Sequence, residues 1–428
     1  MINAGPLARF LPLGDGRLLK PIYDDYSFGN IPNTIEYLLT GVRRGPLLPP
    51  DCFGGAYPRP SKVVLVFLDS FGWQFWRQHQ DRFRTTRRVA EAGTLTPISA
   101  LFPSTTAASV TTMNLGVLPA AHALYEWNIY IPAYGEVIQS LAFSPLGPRA
   151  ADGCLRKGYD PRQLMAVHET VHERLARQGV RSIQFAHRGY ADSAYNRVAN
   201  VGAEVIRHST PAEGMVQLKE ALVGMRDKAW LNFYWAGIDA IAHVHGPGTS
   251  YHAAEIASFW HTFDEVFQDV ASPDTLYLFT ADHGHVGADA AATIYINERW
   301  PKLADCPPLS PTGNPIYPNG SPRDMFLHVR PERRDDVLAL LRRELDGVAL
   351  VIPMDAGLAE GLFGQINGST GPISPELRRR LGDILVLPYL GQFVWWRERG
   401  LMQNDFHGHH GGLTAEELVT VLGAIDSL

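Results

Sequence analysis

The sequence predicts an α/β protein: a three-layer α/β/α sandwich on a mostly parallel central sheet, with a smaller α+β lobe inserted into it. Three observations predict it. Apolar runs of strand length recur along the chain and are continuous rather than alternating, the pattern of strands covered by helices on both faces. Segments with helical spacing alternate with them, as crossover connections require. Acidic residues and histidines follow several of these runs directly, at the strand ends where open α/β sheets bind ligands.

Residues 1–60 are rich in Gly and Pro and read as an extension packing on the core. Their one helical candidate, 31–41, has Asn33 as cap and Gly41 as stop. The run KVVLVFLD (62–69) is the first buried strand, and it ends in Asp69. Residues 101–127 begin as a Ser/Thr-rich loop (Ser104, Thr105, Thr106) that turns into a helix closing near Gly116. Residues 161–178 place Leu164, Val167, Val171 and Leu175 on one helical stripe, stopped at Gly179. Strands follow at 182–187, 230–237 and 275–282, with a helix over 250–270. The texture then changes. Pro-rich loops, a strand at 325–329, a helix at 334–346 and the run VALVIP make 291–381 an inserted cap lobe. Residues 61–290 and 382–428, the latter with the run 384–390, are assigned to the core.

With 428 residues the chain can bury a large core, and 45% hydrophobic with 19% charged residues is an ordinary globular composition. A net charge of -6 argues against a nucleic-acid polymer as partner. Three widely spaced cysteines, Cys52, Cys154 and Cys306, form no disulfide or thiolate-zinc pattern. The first residues contain no apolar signal region, and no run reaches the ~18 residues that cross a bilayer. These features predict a soluble, cytoplasmic protein that does not engage membranes.

The chemistry-bearing residues fall in four places besides the Ser/Thr loop: Asp69; Asp239 and His243 in GIDAIAHVHGPG; Asp282 and His283 in TADHGH; and His407, His409 and His410 in NDFHGHHGGL. A spacing of four puts Asp239 and His243 on one face of a helical turn, within reach of one ion. A hydroxyl at a helix start faces unpaired backbone N–H groups and the positive end of the dipole, which favour a phosphate.

In this order the residues resemble the alkaline phosphatase superfamily, in particular its type I phosphodiesterase/nucleotide pyrophosphatase branch, over about 62–425. The resemblance implies one metal site from Asp69, Thr106, Asp282 and His283, and a second from Asp239, His243 and His410. Thr106 matches the family's nucleophile in PSTTAASVTTMNLG, with Thr105 and Ser104 as fallbacks; His410 is the late histidine followed by Gly. His245 and His285 read as supporting or loop residues. Ala107 stands where nucleotide pyrophosphatases usually carry Phe, and Trp127 and Asn128 where their phosphate-pocket Asn aligns; these two are the candidate substrate-binding residues. The implied function is hydrolysis of a small phosphoester through a phospho-threonine at Thr106. Mixed Asp/His ligation without Cys fits two zinc ions, with manganese or iron as alternatives.

Two other readings compete. His168-Glu169-Thr170-Val171-His172 matches the H-E-x-x-H signature of zinc peptidases, although no third ligand is signalled downstream. A metal-stabilised binding protein would keep the ligands without catalysis, but it has no use for a hydroxyl beside them.

Overall fold

The computed structural model describes residues 1–147, 150–270, 272, 274–287, 289–364 and 373–428. Seven strands form the central sheet: β1 (Lys62–Leu68), β2 (Thr94–Ser99), β3 (Arg181–His187), β4 (Glu204–His208), β5 (Ala229–Trp235), β6 (Thr275–Thr280) and β7 (Val419–Ile425). Their order is β2-β7-β6-β1-β5-β3-β4, and only β7 runs against the others. The expected three-layer architecture with a mostly parallel sheet is what the chain adopts.

Strand β1 shows why its sequence is unbroken. Val64, Val66 and Leu68 pack into a core that includes Ile256, Phe259 and Trp260 of the helix Ser250–Val266. Val63, Leu65 and Phe67 point the other way, into a core that includes Ile35, Leu38 and Leu39 of α1 (Ile31–Thr40). Both faces are thus apolar, and each such side chain contributes roughly 1.5–3 kcal/mol on burial. Helix α1 ends at Gly41 with φ 80°, the left-handed stop that glycine adopts without strain. It starts at Ile31, so Asn33 lies inside it and donates instead to Gly116 O at 3.0 Å.

The edges of the sheet were not legible. β2 carries Pro97, which an edge strand tolerates, and β4 (Glu-Val-Ile-Arg-His) is too polar to read as buried. β7 was missed too, following a very short helix at Ala415–Leu418. The helix expected over 161–178 is broken: a single 3₁₀ turn at Pro161–Leu164 is followed by non-helical chain, and the helix proper spans Val171–Ala176. Its start is set by a capping box. Thr170 Oγ1 accepts from Glu173 N, and the Glu173 carboxylate accepts from Thr170 N at 3.0 Å.

A second, three-stranded antiparallel sheet is formed by Met325–Leu327, Ile384–Pro388 and Ala349–Pro353. The run beginning at Ile384, assigned to the core by sequence, is therefore the middle strand of this sheet, and the edge at 381 falls inside it. A continuous apolar run cannot say which sheet it joins. Residues 365–372 of the expected lobe lie outside the described residues. Among the described residues, no helix is long and apolar enough to cross a membrane.

Candidate functional site

The parallel strands β1 and β6 are neighbours in register, Phe67 beside Thr280. Asp69 follows the end of β1, and Asp282-His283 follow the end of β6, so both reach the same point. His283 Nε2 lies 3.5 Å from Asp69 Oδ1 and 3.3 Å from Asp282 Oδ2. Helix α2 (Thr106–Leu115) delivers the hydroxyl: Thr106 Oγ1 is 3.3 Å from each Asp69 oxygen and 3.4 Å from His283 Nε2. The two fallbacks are occupied elsewhere. Thr105 is the helix cap, accepting from Ala107 N, and Ser104 Oγ donates to Gly412 O at 2.8 Å.

The second group assembles on helix α3 (Gly237–His245), directly after β5. Asp239 Oδ2 and His243 Nε2 are 3.3 Å apart, one turn along the helix. His410 comes from the distant end of the chain. Gly408 and His409 pair antiparallel with Val286 and Gly287, which brings the 408–412 loop alongside His283. The His410 ring stacks on that of His283 at 3.7 Å, and its Nε2 is 3.7 Å from Asp239 Oδ1. The two donor sets are thus neighbours. Among the described residues these are the two clusters suited to a metal ion, Asp69–Asp282–His283 and Asp239–His243–His410; in each, the donor atoms lie within 4.8 Å of one another.

Backbone groups aim the donors. His283 Nδ1 lies 2.9 Å from Gly284 O, His243 Nδ1 2.8 Å from Gly408 O and His410 Nδ1 2.9 Å from Ser104 O. In each ring Nδ1 is engaged by a carbonyl and Nε2 turns inward, the arrangement that supports metal ligation. Asp282 Oδ1 accepts from the N–H groups of Ser70 and His283, each at 3.1 Å. Ser70 has φ 63°, a strained value for a non-glycine residue, beside the Asp69 ligand. Gly284 permits the close packing behind His283: a Cβ there would stand 1.9 Å from Glu416 O.

The donor set fits a divalent cation. Asp282 Oδ2 and Asp239 Oδ1 are buried and accept no hydrogen bond. Burial, then the neighbouring Asp282 and Asp239 charges, push the Asp69 carboxyl well above its usual range, and burial raises Asp282 too. Burial would also raise Asp239, but the His243, His285 and His410 imidazoles hold it well below. Burial and the His283 ring depress His410. Buried carboxylates this close require positive charge to remain ionised together.

Two supporting residues extend the sequence reading. Tyr234 donates a short hydrogen bond to Asp69 Oδ2; it sits one residue before the end of β5, and the sequence reading passed over it inside the apolar run 230–237. His285 Nδ1 lies 3.3 Å from Asp239 Oδ1, the supporting position anticipated for it. His245 instead stacks on Tyr251. His409 is buried against His243 and Phe393, and His407 is exposed. Trp127 and Asn128 line a cavity of about 710 Å³ that also reaches Asp69, Thr106, Asp239, His243 and His410. The H-E-x-x-H motif does not converge. His168 and Glu169 are exposed and precede the helix, whereas His172 is buried within it, its ring stacked on Trp230.

Arg323 is fully buried and forks onto Glu417, Nε to Oε1 at 2.9 Å and Nη2 to Oε2 at 2.8 Å. Glu417 also accepts from Gly412 N at 3.0 Å and Thr414 Oγ1 at 2.8 Å, so the pair fixes the loop that carries His410. Glu417→Gln is expected to lower unfolding stability by about 3–5 kcal/mol, because Arg323 is left buried without its counter-charge. Urea denaturation checks this; a loss under ~1 kcal/mol would mean that the buried guanidinium does not depend on that partner.

The family model for type I phosphodiesterase / nucleotide pyrophosphatase matches residues 63–413. No curated protein matches the chain. Among solved structures it is similar to murine ectonucleotide pyrophosphatase / phosphodiesterase 5, with TM-score 0.58 and 14% identity over 85% of this chain and 87% of that one. An inactive variant of the murine protein in complex with AMP gives TM-score 0.59 at 14% identity, with the same shares covered. The human protein gives 0.59 at 13% identity, again over 85% of this chain and 87% of that one. At such identity these likenesses speak for the alkaline-phosphatase-like fold, while the family match spans most of the chain. The chain therefore belongs to the type I phosphodiesterase / nucleotide pyrophosphatase family, within the alkaline phosphatase superfamily, and is a phosphoric ester hydrolase.

Proposed function

We propose that the chain hydrolyses small phosphodiesters through a phosphorylated Thr106, at a centre that takes two divalent cations, zinc before manganese or iron. The observation that carries this reading is the position of Thr106 Oγ1, 3.3 Å from both Asp69 oxygens and 3.4 Å from His283 Nε2, at the first turn of α2. Asp69, Asp282 and His283, with the Thr106 hydroxyl, would hold one cation, and Asp239, His243 and His410 the other. When bound, the cations supply the positive charge that lets the hydroxyl ionise and that offsets charge on the phosphoryl oxygens.

The chain's own groups do the rest. Tyr234 holds Asp69 by its short hydrogen bond, so that this carboxylate keeps its place beside the nucleophile. The positive end of α2 faces the phosphoryl group. Thr106 attacks phosphorus and one ester oxygen leaves; water then displaces the threonine oxygen and restores the free hydroxyl. The AMP complex of the murine relative supports a small phosphoester as ligand. Proximity of a positioned hydroxyl is itself worth orders of magnitude in rate.

The test is a comparison of bis-p-nitrophenyl phosphate, p-nitrophenyl phosphate and casein, each with and without chelator. The expected result is chelator-sensitive cleavage of the diester at the highest kcat/KM. Cleavage of casein alone would overturn the reading, and inertness to all three would favour a binding protein.

A further inference from the structure

The cavity at the candidate centre extends well beyond the groups that the phosphoryl chemistry uses. Part of its wall is made of carboxamides and phenols: Asn114, Gln184, Asn232, Gln139, Tyr190 and Tyr195. Strands β3 and β5 place Gln184 and Asn232 side by side, in register, on the sheet face that also carries Phe67 and Tyr234. Asn232 Nδ2 donates to Gln184 Oε1 at 2.7 Å, and Gln184 Nε2 lies 3.2 Å from His172 Nε2. His172 in turn stands 3.1 Å from Asn114 Oδ1 on the nucleophile helix. Burial lowers the pKa of His172 to about 3, so this ring is neutral. The buried half of the H-E-x-x-H motif thus anchors an uncharged polar ladder rather than a metal.

Three atoms of this wall have no partner: Asn232 Oδ1, Tyr190 Oη and Gln139 Oε1. Asn232 is only 4% exposed, so its orphaned carbonyl oxygen carries the cost of a buried acceptor, about 1–3 kcal/mol. A pocket with unmatched acceptors and a phenol calls for a ligand that brings hydroxyl or amide N–H donors. The charge of the wall narrows the ligand further. Among the described residues that line the cavity there is no lysine or arginine. Nothing but the metal centre can therefore balance negative charge, and a second anionic group would be buried uncompensated.

Resting on the hydrolase reading above, we propose that Asn232, Gln184, Asn114 and Tyr190 form a subsite for an uncharged, hydrogen-bond-donating polyol arm of the phosphodiester, and that the site rejects arms bearing further negative charge. Asn232 Oδ1 accepts from a hydroxyl or N–H of that arm. Specificity comes from the pairing of buried polar atoms, which discriminates more sharply than apolar fit.

The experiment uses the zinc-loaded, full-length protein and four p-nitrophenyl phosphodiesters whose second arm is 2,3-dihydroxypropyl, propyl, 2-carboxyethyl or 5′-thymidyl. The wild type is expected to prefer dihydroxypropyl over propyl by about tenfold in kcat/KM, the range that one buried hydrogen bond commands. The carboxyethyl ester is expected to rank last, and a preference for the thymidyl ester over the dihydroxypropyl ester would overturn the polyol assignment. In Asn232→Leu the dihydroxypropyl-to-propyl ratio is expected to fall toward one. Tyr190→Phe, which removes a single hydroxyl, is expected to lower the same ratio and keeps the test open if the first variant does not fold. Equal rates for the dihydroxypropyl, propyl and carboxyethyl arms in the wild type, or a ratio unchanged in both variants, would overturn the subsite alone. A wild type inert to all four esters would overturn the hydrolase reading, and the subsite with it.

Discussion

Thr106→Ala lowers phosphodiester turnover by about 10⁴-fold or more, leaving bound metal near the wild-type amount. The magnitude is that of deleting a nucleophile whose partners remain in place, where losses of about 10⁶ are known. The geometry makes the two halves of this expectation separable. Asp69, Asp282 and His283 still converge without the threonine oxygen, since His283 Nε2 contacts both carboxylates directly. Helix α2 keeps its start as well, because the cap is Thr105, whose side chain accepts from Ala107 N. Steady-state rates, metal content by mass spectrometry and acid-quench trapping of a phosphorylated protein read the three consequences. Thr106→Ser, which restores a hydroxyl, is expected to recover part of the rate and the trapped intermediate. A Thr106→Ala protein with full activity would remove the covalent step, and one that loses both activity and metal would make Thr106 a ligand first.

Much of this site is legible in the sequence, and the reason is local. Asp69, Asp239 and Asp282 each stand within a few residues of a strand end, and an unbroken apolar run announces that end. Once β1, β5 and β6 are parallel neighbours, the three carboxylates must meet. His410 had no such local signal. Its place depends on a two-residue pairing with Val286–Gly287 and on a carbonyl 306 positions away, that of Ser104, and chain spacing encodes neither. The family resemblance named it; periodicity could not. The misread segments share one cause. The Leu164–Leu175 stripe has helical spacing, yet the Thr170–Glu173 capping box starts the helix late and leaves His168 outside it. Strand Ile384–Pro388 reads the same whether it joins the large sheet or the small one. Likewise, Asn232 and Gln184 sit inside apolar runs, and only their cross-strand register shows that they form one polar wall.

With the cations of the proposed centre removed, activity is expected to be lost and stability to fall with rising pH above neutral. Burial first, and then neighbouring carboxylates, raise the Asp69 pKa well above the ordinary range, and burial raises Asp282. Glu126 is pushed up to about 8 by burial, and Asp324 is raised by burial and by Glu126. For an acid whose folded value is raised, the native state binds more protons than the unfolded chain at every pH between the two values. Stability therefore falls as pH rises through that window. His410 and His409 have lowered values, as do His122, His172, His252, His285 and His328. They oppose this trend while the imidazoles of the unfolded chain, ordinarily near 6.5, still bind protons, an effect that fades over roughly the next pH unit. Asp239 and Glu417, held low by His243 and Arg323 against the cost of burial, contribute nothing further above pH 6. Between about pH 7.5 and 8 the acids that still hold a proton set the slope, Glu126 with its value near 8 and Asp69 with its carboxyl well above the ordinary range, each contributing up to about 1.4 kcal/mol per pH unit while it stays protonated. In the chelated protein the unfolding midpoint in urea is thus expected to drop across that interval. Zinc-loaded protein is expected to be more stable throughout and to show a shallower slope, because Asp69 and Asp282 are then ionised at every pH sampled. Parallel slopes for the stripped and loaded forms would show that these two carboxylates are not the ones that the cation neutralises.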